Sequence, residues 1–180
     1  MVRRSIVLLL LVIAGCGGGE ESTEPAPEAP PGIELTSPAF EPGAAIPKRY
    51  TCDGGDTSPP LAWAEVPSTA KELALIVDDP DAPGGTYVHW TVYAIPPSTE
   101  SLDEGKLPPG AKEGENSFGD VGYGGPCPPE GDKAHRYSFS VYALKTEPEL
   151  EQGAKPEEIR DAVAKHALAR GNLVGTFKRG

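Results

Sequence analysis

Two short stretches carry residues whose types and spacing could do chemistry. Asp78-Asp79-Pro80-Asp81-Ala82-Pro83 is followed by His89-Trp90, and Gly125-Pro126-Cys127-Pro128-Pro129 is followed by His135-Arg136-Tyr137. Each joins a proline-stiffened turn to a histidine at the edge of an apolar strand. The chain has three histidines, and two of them are here. Imidazoles and bare backbone N–H groups hold phosphate or carboxylate oxygens. Asp79 can fix a histidine in one tautomer, or accept from an ammonium group on the same ligand. Glycine lets a ligand approach the 125–129 backbone closely. The candidate binding set is therefore Asp79, His89, Gly125, Pro126, Pro128, His135 and Tyr137. Its expected guest is a small anion or phosphorylated headgroup, and ethanolamine phosphate would satisfy both signs of charge. An ordinary Asx-Pro turn also accounts for the first stretch taken alone. The matched histidine contexts make a site the better reading of the pair.

The elements that must position these residues are mostly strands. Residues 72–77, 87–95 and 135–144 are rich in β-branched and aromatic side chains and are bounded by Pro or Gly turns. Shorter strands are expected at 33–36, 61–64 and 173–177. In the second long strand Tyr87, His89, Thr91 and Tyr93 share one face by the period of two, and Val88, Trp90 and Val92 share the other. The Trp90 face is expected to be core, with His89 on the less apolar side. Residues 100–124 read as a long glycine-rich surface excursion. One helix starts at Pro156-Glu157-Glu158, carries an apolar stripe through Ile159, Val163 and Ala167, and is expected to end at Gly171. His166 falls off that stripe and is expected at the surface. The sum is a mainly β fold: an antiparallel β-sandwich with one C-terminal helix packed outside.

The N-terminal region reads differently. Arg3 and Arg4 precede an apolar run from Ile6 to Ala14, and Ile13-Ala14-Gly15-Cys16 has the form of a lipoprotein cleavage site. Residues 1–15 are expected to be a signal peptide and Cys16 the lipidated mature end. Residues 16–32 are then a disordered Gly/Pro/Glu tether with nothing to place in a core, and 33–180 form one domain. Export leaves Cys52 and Cys127, which are expected to form a disulfide in an oxidising compartment. The location implied is outside the cytoplasmic membrane, on its outer face, or in the periplasm or on the outer membrane of a two-membrane cell. A net charge of −11 argues against nucleic acid and against a domain lying flat on anionic lipid.

The two motifs resemble the signature regions of the phosphatidylethanolamine-binding protein family, in its bacterial Raf-kinase-inhibitor-like branch. Further similarity runs through Ser37-Pro38-Ala39-Phe40, Tyr50-Thr51-Cys52-Asp53-Gly54, Ser58-Pro59-Pro60-Leu61 and Leu173-Val174-Gly175-Thr176-Phe177. The resemblance implies a β-sandwich with a small anion pocket. By position Asp79, His89, His135 and Tyr137 match the family's pocket side chains, and 125–128 match its backbone wall. Tyr87 is not equated with the family's other pocket tyrosine, because the stretch between Pro83 and His89 is short.

The function expected is binding without catalysis. No Gly-x-Ser-x-Gly elbow exists. Neither a cofactor nor a metal is expected, since two cysteines without a neighbouring histidine make a poor zinc motif. The alternative is a regulator or inhibitor of an exported hydrolase or envelope protein, docking through the same pocket.

Overall fold

The computed structural model describes residues 24–180. Its strands are β1 (Glu34–Thr36), β2 (Leu61–Ala64), β3 (Glu72–Asp79), β4 (Tyr87–Ile95), β5 (Ser101–Leu102), β6 (Lys112–Glu113), β7 (His135–Leu144) and β8 (Ala167–Phe177). One helix, α1 (Pro156–His166), precedes β8. The strands form a three-stranded sheet, β1-β2-β5, and a five-stranded sheet, β6-β4-β3-β7-β8. All the strand pairs are antiparallel.

The expected sandwich is present, with α1 as a third layer. Leu35, Leu61 and Trp63 of the small sheet pack against Leu73, Leu75, Val77, Trp90, Phe139 and Val141 of the large one. On the other face of the large sheet Ala74, Ile76, Tyr93, Tyr142 and Leu144 pack against Ile159 and Val163 of α1. That second layer is why β3 is buried at all eight positions and shows no polar face.

Three expectations are corrected. The helix stops at His166 rather than running to Gly171. Chain from Ala167 onward pairs with β7, from Leu144↔Ala167 to His135↔Phe177, so the ladder outcompetes the last helical turn. Gly171 is needed for close approach: a Cβ there would lie 2.6 Å from Ile33 O. His166 is half-buried at the end of α1. The 100–124 excursion is more structured than expected. It contributes β5 and β6, and an isolated bridge joins Glu115 to Val121.

The third correction concerns the expected tether. Within 16–32, only 24–32 belong to the described residues, and they lie on the domain. Pro27 is buried, Ala29 packs against the helix-side cluster, and the Tyr142 hydroxyl donates to Pro27 O at 2.9 Å. Local composition disfavours a core, but carbonyls of a proline-rich chain remain good acceptors for donors on a folded surface. The signal peptide and Cys16 lie outside the described residues.

Ile159 is fully buried between α1 and the sheet. Ile159→Ala is expected to cost about 2–5 kcal/mol, as for other large-to-small core changes. Urea unfolding should show a lower midpoint with an unchanged slope.

Candidate functional site

β3, β4 and β7 bring the site together, and a defect in their pairing decides its shape. Val77 pairs with Trp90 and Asp78 pairs with Val88, so His89 has no partner on β3. It is the extra residue of a β-bulge, which turns two successive side chains to one side. His89 therefore joins Trp90 on the inter-sheet face. The strict alternation expected for β4 fails at this point, with Tyr87 and His89 now on the same side as Trp90 and Val92. On β7, Tyr137 shares that face with Phe139 and Val141, and the His89 and Tyr137 rings meet edge-on at 5.1 Å.

The hydrogen bonds define the tautomers. His135 Nδ1 donates to Asp79 Oδ2 at 2.7 Å, with both side chains almost fully buried. The other Asp79 oxygen accepts from the Asp81 backbone N–H at 2.8 Å. Asp79 thus holds the imidazole with one oxygen and its own turn with the other. His89 Nδ1 donates to Gly124 O at 2.7 Å. In each ring the bonded Nδ1 carries the hydrogen, leaving Nε2 as the second polar atom. Burial pushes the His89 pKa down, against the pull of the Gly124 carbonyl and Asp79, so the ring is neutral at pH 7. Burial, with Asp79 nearby, raises the Tyr137 phenol and keeps it protonated. Its Oη lacks a well-aligned hydrogen-bond partner.

The rim is stiff. Arg136 grips Asp81 through Nε and Nη2, both at 2.8 Å, and its backbone N–H donates to the same carboxylate. This fork holds the Asp81 carboxyl well below the usual carboxylate range. The Cys52–Cys127 disulfide is present. It ties the loop carrying Pro128 and Pro129 to the turn after Tyr50. Across the opening, buried Asn116 pins a tight loop: its Oδ1 accepts from Phe118 N, and its Nδ2 donates to Gly122 O. Phe118, 46% exposed, stands edge-on to Tyr87 and His89.

Between these walls is a cavity of about 250 Å³. Of the residues singled out from sequence, Asp79, His89, Pro128 and His135 line it. Tyr137 is fully buried beside His89. Gly125 and Pro126 lie behind the wall rather than on it. Gly125 N donates to Asp56 Oδ1 at 2.7 Å, and Pro126 O accepts from Cys52 N at 3.2 Å. Ala82, Pro83, Tyr87, Phe118 and Pro129 also line the cavity and were not singled out. Tyr87 was within reach of sequence reasoning, two residues before His89. Phe118 was not, because an aromatic in a glycine-rich loop has no strand phase to aim it. Among the described residues, no group of three or more His, Cys, Asp or Glu side chains could hold a metal ion.

A family model described as phosphatidylethanolamine-binding protein matches residues 36–178. The chain belongs to that family. A UPF0098 protein of Methanothermobacter thermautotrophicus is 47% identical over 153 residues, covering 82% of this chain and 100% of that protein. The candidate lipoprotein LppC of Mycobacterium tuberculosis (strain H37Rv) is 41% identical over 186 residues, covering 94% of this chain and 92% of LppC. The crystal structure of a phosphatidylethanolamine-binding protein homologue from Chlamydia trachomatis is 42% identical with a TM-score of 0.77, covering 83% of this chain and 99% of that one. E. coli YbcL is 35% identical with a TM-score of 0.79, covering 82% and 99%. Members of this family are characteristically binding proteins rather than enzymes.

Two predictions follow from the geometry of this phosphatidylethanolamine-binding-family site. The folded-state pKa of His89 is depressed, so the unfolded chain takes up its proton first as pH falls. The stabilisation is complete above the ordinary histidine value of about 6.5 and is lost below it. Between pH 8 and 5 the wild type should lose urea stability more steeply than His89→Gln; equal slopes would contradict a depressed His89. The disulfide spans 75 residues. Replacing both cysteines by serine is expected to cost about 2–4 kcal/mol, read as a lower melting temperature.

Proposed function

We propose that the cavity takes the phosphate, or another compact oxyanion, of a small molecule or lipid headgroup. The observation that carries this reading is the convergence of two imidazoles from different strands on one recess. Each ring is oriented through Nδ1 by a buried acceptor, Gly124 O for His89 and Asp79 for His135. His89 keeps Nε2 for a guest, and His135 Nε2 faces the half-exposed Asp132 carboxylate at 3.7 Å, which a bound oxyanion would displace. A neutral Nε2 accepts from a protonated phosphate oxygen, and a protonated one donates to a bare oxygen. The charge of a bound anion would offset the burial that keeps His89 neutral and so favour uptake of a proton by the ring. The Asp79 carboxylate, engaged by His135 and Asp81, orients rather than repels. The family's name and the name of the Chlamydia relative point to phosphoethanolamine-type chemistry.

Titration calorimetry with inorganic phosphate and with phosphoethanolamine tests the site. A charge-assisted hydrogen bond contributes about 1.5–3 kcal/mol, so His135→Ala should weaken binding roughly 10- to 100-fold. Equal heats for wild type and variant would rule the cavity out as the binding site.

The second part of the proposal is placement. The N-terminal signal and Cys16 would tether the domain outside the cytoplasmic membrane through lipid, and the similarity to LppC supports this. No helix among the described residues is long and apolar enough to cross a membrane. Multi-chain acylation anchors far better than one chain, at about 0.8 kcal/mol for each buried CH₂. Intact-mass analysis should find Cys16 diacylated at the mature end. Cys16→Ser should shift the protein from the membrane to the soluble fraction.

A second reading is favoured by one observation. Phe118 and Val121, 46% and 54% exposed, stand on the pinned loop beside the pocket. An acidic or phosphorylated segment of an exported protein could enter the pocket and cover them, making the domain a regulator or inhibitor. Capture of such a partner from envelope extract should then be abolished by competing phosphate.

A further inference from the structure

The proline-rich segment 25–31 rests in a seat on the helix side of the large sheet, away from the anion cavity. Proline has no N–H, so this chain offers mainly carbonyls, and the donors must come from the surface beneath. Arg160 Nη1 of α1 donates to Pro25 O at 2.9 Å. Tyr142 Oη of β7 donates to Pro27 O at 2.9 Å. The Arg170 backbone N–H of β8 donates to Pro30 O at 2.8 Å. Three elements far from the segment in sequence thus serve carbonyls of the same short run, and Arg170 Nη1 also reaches Pro27 O at 3.5 Å.

The donors are built in. Tyr142 is 0% and Arg160 3% exposed, and Arg160 is braced from behind by an ion pair with Asp78. With the segment seated, both donors are closed off from solvent, and its carbonyls are the acceptors they meet there. Pro27 is buried and Ala29 packs against the cluster containing Tyr142 and Ile159. The seat is not closed over its occupant. A cleft of about 560 Å³ runs along the segment beside Pro25, Glu28 and Arg170. A chain held by carbonyls and a few apolar contacts, with solvent along one flank, is exchangeable.

We propose that this seat is a recognition site for extended proline-rich chain, with the protein's own linker as its resident occupant. Such segments are pre-stiffened and lose little freedom on docking. The site reads carbonyl spacing and small apolar side chains rather than charge. It is independent of the anion pocket and of its ligand. If Cys16 is lipidated as proposed above, seating also shortens the leash. Nine residue steps from Cys16 to Pro25 span at most about 30 Å, against roughly 60 Å for a chain free to residue 33.

The test uses the full chain. In the wild type, ¹⁵N relaxation should give order parameters near ~0.85 for the amides of Ala26, Glu28 and Ala29, the value of rigid backbone. In a variant with P25G, P27G, P30G and P31G they should fall below about 0.6. A synthetic peptide of residues 24–32, titrated into that variant, should shift the Tyr142 and Arg160 signals saturably, while a Gly-Ser peptide of equal length should not. Tyr142→Phe in the otherwise native chain keeps the core volume and should lower the order parameters of the segment. Wild-type values already below about 0.6, or a peptide as inert as the Gly-Ser control, would overturn the proposal.

Discussion

The pocket depends on one unpaired residue in β4. Without the bulge, His89 and Trp90 would face opposite sides of the sheet. His89 would then point toward the helix layer, and the recess would lose one of its two imidazoles. The bulge places both on the inter-sheet face, where Trp90 packs in the core and His89 reaches Tyr137 and the cavity. An irregularity in a central strand forfeits ladder hydrogen bonds. Here His89 recovers part of that loss by donating its side-chain N–H to Gly124 O, and Gly124 N donates to His89 O at 2.9 Å. The same loop that accepts from the ring therefore also closes the strand's edge.

Preorganisation of the walls follows a consistent division of labour. Covalent and ionic links are placed on the rim: the disulfide behind Pro128 and the Arg136–Asp81 fork beside Ala82. Fully buried, hydrogen-bonded groups are placed at the base: Asp79, His135 and His89. The fork is partly exposed, with the Arg136 side chain 61% accessible, so its contribution is more to geometry than to stability. The base is different. Its polar groups sit where an unmet hydrogen bond is expensive, and each histidine is engaged before any ligand arrives.

Adjacent residues at the end of β3 serve opposite faces. Asp79 orients His135 in the cavity, and Asp78 pairs with Arg160 under the proline-rich segment. The alternation of a strand makes this possible, because neighbouring side chains point through opposite sides of the sheet. The helix layer is what makes the second face a place for buried charge. Without α1, Arg160 would not exist there and Asp78 would face water.

Much of this was legible in the residues themselves. Turn chemistry is local, so the Asp-Pro and Gly-Pro-Cys-Pro corners marked strand ends, and both histidines were found beside them. The Cys52–Cys127 pairing followed from counting cysteines under an expectation of export, and the sandwich followed from the strand pattern. The tertiary structure decided what depends on a distant partner. The phase of β4 at His89 is set by pairing with β3, which no alternation rule within β4 can foresee. The end of α1 at His166 is set by the free edge of β7, whose ladder claims Ala167 onward although the apolar stripe continues. Segment 24–32 is polar and proline-rich by composition, yet it lies on the domain, where Pro27 O and Pro25 O accept from Tyr142 and Arg160. Local sequence determines what each residue is able to do; register and burial, which are properties of pairs far apart in the chain, determine where it does it.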